Sequence, residues 1–204
     1  MPSRVLTAVA LALCGCVASI ATESSITVPA TRALEPVVVV LPADIGAIAG
    51  RRDIGTRLAQ TLRFSLSQRQ LAWRPMLWDS VGSRAAREPE GARYLRLVDQ
   101  FNATGTPSDS LVSLLTSWFG PCNVMALRIE YGASASHGAI ENRRFQRLVL
   151  GGRVWSSTGD LLWSGTSTAT SEAGIGYEQR PATDVLAAAV RAFVAQLPSA
   201  VRIH

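Results

Sequence analysis

Residues 145–170 read FQRLVLGGRVWSSTGDLLWSGTSTAT, and their alternation decides the fold class. Leu148, Leu150 and Val154 alternate along the incoming run. Ser157-Thr158-Gly159-Asp160 then supplies a tight turn. On the way out Leu161, Trp163, Gly165 and Ala169 fall to one side, and Ser164, Thr166, Thr168 and Thr170 to the other. A period of two predicts two strands, and so short a turn makes them antiparallel. Trp163 shares the core side with Leu161. Trp155 falls opposite Val154 and is the candidate partner-docking residue, an exposed aromatic anchor. The alternative is packing between the two tryptophans that pins the register.

Working outward, Met125, Leu127, Ile129 and Tyr131 share one face of a preceding strand and Arg128 and Glu130 the other. The Gly, Ser, Ala and Asn content of 132–144 predicts a long hairpin loop. Further upstream, Tyr94, Leu97, Val98 and Phe101 repeat at helical spacing, and so do Leu111, Leu114, Leu115 and Trp118. Pro107-Ser108-Asp109 sits where the second of these helices needs a cap. Val37 to Leu41 is continuously apolar and stops at Pro42, the mark of a strand buried on both faces. Ile54, Leu58, Leu62 and Leu66 form one helical stripe over 53–70, and a short strand is expected over 71–77. Thr183 or Asp184 caps a last helix with Leu186, Ala189, Val190, Phe193 and Leu197 as its stripe, ended by Pro198. The expected order is β-α-β-α-α-β-β-β-α. That is an α+β fold of α/β-like character: a mixed sheet with a C-terminal antiparallel meander, packed by helices.

The 204 residues carry 48% hydrophobic residues and a net charge of +5, enough apolar material for one core-bearing domain. All twenty basic residues are Arg, so Schiff-base, P-loop lysine and Ser-Lys chemistry are excluded. His137 and His204 are the only histidines, too few for a protein-built zinc site. HExxH, CxxC, GxxxxGK[ST] and GxSxG are all missing. Gly174-Ile175-Gly176 is a bare GxG without the third glycine. Glu88 and Glu90 read as a solvated face rather than a glycosidase pair, and His137 as a loop histidine rather than a general base. Cys122, between Pro121 and an apolar strand, reads as a small buried hydrophobe. The Arg143-Arg144 pair with Arg147 is the densest basic group, too small to predict nucleic-acid binding. No catalytic residue, metal or cofactor is expected.

The first residues have an export signal's shape: Arg4, then a nine-residue run from Val5 to Leu13 that is apolar except for Thr7. Leu13-Cys14-Gly15-Cys16 resembles the lipobox of bacterial lipoproteins, with Cys16 as the residue acylated; Leu11-Ala12-Leu13-Cys14 is a poorer second register. The resemblance implies a signal peptide at 1–15. A lipidated Cys16 and a Ser/Thr/Ala-rich tether follow at 16–36, then one periplasmic domain at 37–198 and a tail at 199–204. Val17, where Asp would retain such a protein at the inner membrane, implies the periplasmic face of the outer membrane.

The hairpin Val154 to Gly165, with the opening strand that ends Leu41-Pro42 and the long helix after it, resembles a group of envelope domains. These are the TolB amino-terminal domain, the curli-secretion lipoprotein and the LpoB-type activators of penicillin-binding proteins. The resemblance implies a non-enzymatic accessory protein of the Gram-negative envelope that binds a protein partner. No pair of long apolar strands is free for a membrane barrel like that of the curli protein. Two other functions remain as alternatives: a lipid-binding auxiliary lipoprotein of an ABC-type transporter and, more remotely, an envelope hydrolase.

Overall fold

The computed structural model describes residues 19–30, 33–41, 53–137, 142–173 and 181–198. The chain runs β1 (Ile20–Val28), β2 (Val37–Val40), α1 (Asp53–Ser67), β3 (Arg74–Met76), α2 (Trp78–Ala85), α3 (Gly91–Thr104) and α4 (Asp109–Phe119). The meander β4 (Cys122–His137), β5 (Asn142–Trp155) and β6 (Leu161–Ala173) follows, and α5 (Ala182–Gln196) closes the described chain. One six-stranded mixed sheet has the order β1-β6-β5-β4-β2-β3. β2 is parallel to β3 and β4, and the other pairs are antiparallel. The α+β fold with its C-terminal meander is as the alternation predicts.

The apolar run at Val37 to Leu41 is an interior strand between β4 and the short edge strand β3, buried on both faces, and its period of two divides it between two cores. Val38 and Val40 join Leu58, Leu62 and Leu66 of α1 and Val190, Phe193 and Val194 of α5. Val37, Val39 and Leu41 join Val81 of α2, Tyr94, Val98 and Phe101 of α3 and Leu111 and Leu115 of α4. Three layers result, with α1 and α5 on one face of the sheet and α2, α3 and α4 on the other.

On the α5 side, Gly152 and Gly165 stand opposite each other across β5 and β6. A Cβ on Gly152 would meet the Phe193 ring at 2.3 Å, and one on Gly165 would meet the Trp163 indole at 2.6 Å. The two glycines open a notch in the side-chain layer. Phe193 and Trp163 fill it, edge to face, with ring centroids 5.6 Å apart.

In its elements the structure departs from the sequence reading in four places, besides Leu161, which was expected on the core side and is 41% exposed. Ile20–Val28, expected within a flexible tether, is the outer strand β1, paired antiparallel with β6. Its Thr, Ser and Glu side chains bury almost nothing, so hydrophobic patterning cannot find it; backbone hydrogen bonds to β6 hold it. The domain therefore includes residues before 37. Second, α2 is an extra helix of eight residues, anchored by Val81 and Ala85 one turn apart and too short to show a stripe. Third, most of 132–144 is strand rather than loop, because β4 runs to His137 and β5 starts at Asn142. Ladder hydrogen bonds extend a hairpin past the last buried residue whatever its side chains. Fourth, α5 begins at Ala182 with Pro181 as its cap residue, two or three positions before the expected cap at Thr183 or Asp184. Gly174-Ile175-Gly176, Cys14, Cys16, Val17 and His204 lie outside the described residues.

Tyr94 is buried between α3 and the sheet, with its ring 5.5 Å from that of Trp118. Burial pushes its phenol up to about 12. In the unfolded chain the phenol ionises near 10. The folded state thus holds the proton more tightly, and the associated stability is complete below about pH 10 and lost as pH rises toward 12. Denaturant titrations should lose roughly 2 kcal/mol over that interval. Tyr94→Phe should remove most of this loss; an unchanged alkaline profile would refute the assignment.

Candidate functional site

Helices α2, α3 and α4 cover only part of their face of the sheet. Beyond Val124 and Trp155 the same face of β4, β5, β6 and β1 is open. In ladder register its rows read Ala126-Arg153-Ser164, then Arg128-Gly151-Thr166-Ser25, then Glu130-Val149-Thr168-Glu23, then Gly132-Arg147-Thr170-Ala21. These are the polar sides of strands whose apolar sides build the α1/α5 core. The Ser25 and Thr166 hydroxyls are hydrogen-bonded at 2.9 Å, which ties the edge strand to this surface.

Where the covered and open parts meet lies a cleft of about 590 Å³. One wall is the last turn of α3, Phe101 to Gly105. The floor is β4 and β5 around Ala126, Gly151 and Gly152, and Thr27, Ser164 and Thr166 lie opposite. Gly105 ends α3 in the left-handed region at φ 71°, and its N–H donates to the Phe101 carbonyl at 2.7 Å. Gly151 leaves the floor low, since a Cβ there would meet only the Thr166 methyl at 3.7 Å. Arg128 pairs with Glu130 at 3.2 Å in solvent, a pair of little energetic weight. Arg153 is exposed and has no acidic partner among the described residues. The cleft therefore offers one uncompensated guanidinium, one screened ion pair and a row of hydroxyls. That arrangement suits directional polar recognition.

Trp155 is not an exposed anchor. It is 4% exposed and meets Phe101 edge to face, with centroids 6.0 Å apart. It does lie on the face opposite Val154, as the alternation requires. However, α3 and α4 cover that face at its position, and a strand's own pattern does not report what packs on it. Only its margin reaches the cleft. Trp163 is fully buried on the other side, at 1%.

The remaining candidates scatter. Cys122 is a buried free thiol whose Sγ is 3.9 Å from the Thr116 hydroxyl, and burial pushes its pKa up. Glu88 and Glu90 form exposed ion pairs with Arg84 at 2.6 Å and Arg93 at 2.9 Å. His137 ends β4, far along the hairpin from the cleft. Among the described residues no three His, Cys, Asp or Glu groups gather as metal ligands. The sequence reading missed Arg153, Gly151 and the α3 wall. The available signal was that three consecutive strands each kept a polar side, which together make one continuous surface.

No protein-family model matches the chain, and no curated relative matches it. Among solved structures it is similar to the PelC dodecamer from Paraburkholderia phytofirmans at 13% identity and a TM-score of 0.45, over 88% of this chain and 99% of that one. A PelC variant dodecamer from the same organism gives 14% identity and a TM-score of 0.42, over 90% and 99%. At these identities and scores the likenesses define neither a family nor an activity for this chain.

Proposed function

We propose that this chain is a lipid-anchored accessory protein of the Gram-negative envelope. Cys16 holds it at the periplasmic face of the outer membrane, and it works by contact with a protein partner rather than by catalysis. The lipobox-like Leu13-Cys14-Gly15-Cys16 supports the location. The observation that carries the contact reading is the open half-face of the sheet, with its cleft beside α3 and the unpaired Arg153. A transporter auxiliary that carries lipid needs an apolar groove. This cleft is mixed: Arg128, Glu130, Arg153 and Thr166 stand beside Phe101, Ala126, Val149 and Trp155, and its charged groups support protein docking.

The test is an affinity pull-down of the acylated chain from detergent-solubilised envelopes, comparing wild type with Arg153→Glu. Reversing one unpaired charge at a contact should reduce recovery of the specific partner roughly fivefold or more. Equal recovery by both forms would exclude the cleft, and recovery of lipid in place of protein would favour the transporter reading. Arg153→Glu lies on the surface, so its melting temperature should stay near that of wild type.

A further inference from the structure

The register of the sheet also fixes which end of the domain meets the membrane, given the anchor proposed above. Ile20, the first residue of β1, pairs with Ser171 of β6; Ser171 pairs with Gln146 of β5, and Gln146 with Ala133 of β4. These four residues form one row across the sheet. Cys16 precedes Ile20 by four positions, so an acyl group on it is confined to within about 14 Å of that row. From the same row the β4–β5 hairpin continues outward in the direction from which the chain enters β1. Arg144 lies two residues beyond Gln146, and His137 pairs with Asn142 a further two residues out. At about 3.4 Å per residue, that pair also stands about 14 Å beyond the row. The hairpin end therefore stands within the anchor's reach.

The chemistry of this end is basic. Arg144 and Arg147 are exposed on β5 and have no acidic partner among the described residues. Arg143 follows Asn142 in the same strand. The acidic group beside them in the ladder is Glu172, opposite Phe145, and it is already engaged. Glu141 adds one negative charge in the sequence, and Glu23 lies three positions along β1, away from this end. Arginines held at a headgroup plane by a neighbouring acyl chain act at short range, where attraction to anionic lipid is not screened away.

We infer that the β4–β5 hairpin is a membrane-facing surface whose arginines, Arg144 and Arg147, bind the headgroups of an anionic phospholipid leaflet. The domain then stands with its sheet end-on to the bilayer. This rests on acylation of Cys16.

The test uses the acylated chain in vesicles of phosphatidylethanolamine and phosphatidylglycerol. One fluorophore is attached at Ala133→Cys, or at Ser157→Cys in the β5–β6 turn, with Cys122→Ala in both. Energy transfer to a headgroup-bound acceptor should be at least about twofold stronger from position 133, since the two sites are separated by roughly 37 Å along the sheet. Arg144→Glu with Arg147→Glu should cut that difference by about half or more, and so should vesicles of phosphatidylcholine alone. Circular dichroism should confirm that the doubly substituted chain still folds. Equal transfer from both positions overturns the inference. So does a difference that charge reversal leaves undiminished, which would make the short anchor its sole cause. An unmodified Cys16, recognised by mass and by a second reactive thiol, would overturn the functional reading and this inference together.

Discussion

Gly152→Ala will destabilise the fold by about 1–3 kcal/mol, although it adds only a methyl group to the middle of a strand. The new Cβ would sit 2.3 Å from Cζ of Phe193, 2.8 Å from its Cε2 and 3.4 Å from Cδ2 of Leu127. None of these can withdraw cheaply. Phe193 is fully buried and wedged against Trp163, itself fully buried, so moving one ring moves the other. In a domain of this size the melting temperature should fall by on the order of 5 °C. The diagnostic form is a double-mutant cycle. Phe193→Leu alone leaves a void and destabilises the fold. Combined with Gly152→Ala it should cost less than the two changes summed, by about 1 kcal/mol or more, because the methyl enters the space the ring vacates. Strict additivity would mean that the ring is not what forbids a side chain at 152.

The same notch shows where sequence reading stops. Val37 to Leu41 could be placed in the interior of the sheet because a run buried on both faces has no polar side to show. The β5–β6 hairpin was legible because its period of two holds from Leu148 to Val154 and from Trp163 to Ala169; next to the turn the register shifts between Val154 and Trp155, and Leu161, expected on the core side, is 41% exposed. The glycines of the notch could not be interpreted, because the ring that fills it arrives from α5, forty-one residues downstream of Gly152. β1 was missed for the opposite reason. Its stability comes from pairing along β6, and an outer strand open on its far side needs no apolar pattern. For the candidate site, each strand's polar side was visible in isolation. What makes a cleft of them is the place where α3 ends, and that depends on tertiary packing.

Trp155→Ala will prove to be a core mutation, costing about 3–5 kcal/mol and lowering the melting temperature by roughly 10 °C. A residue 4% exposed, with Phe101 against its ring and Val124 beside it in register, holds α3 to the sheet. Removing the indole unseats Phe101, the residue that begins the cleft's helical wall. Partner binding should therefore weaken too, but only in proportion to the loss of folded protein and the loosened wall. Arg153→Glu should give the converse, with binding reduced and stability intact. The two substitutions lie two residues apart on one strand, Trp155 under the helices and Arg153 on the open face. Trp155→Phe sharpens the contrast, since it keeps an aromatic ring against Phe101 and should restore much of the stability. A Trp155→Ala protein that melts like wild type yet loses its partner would reinstate the tryptophan as an anchor and place the docking surface on the α3 side of the cleft.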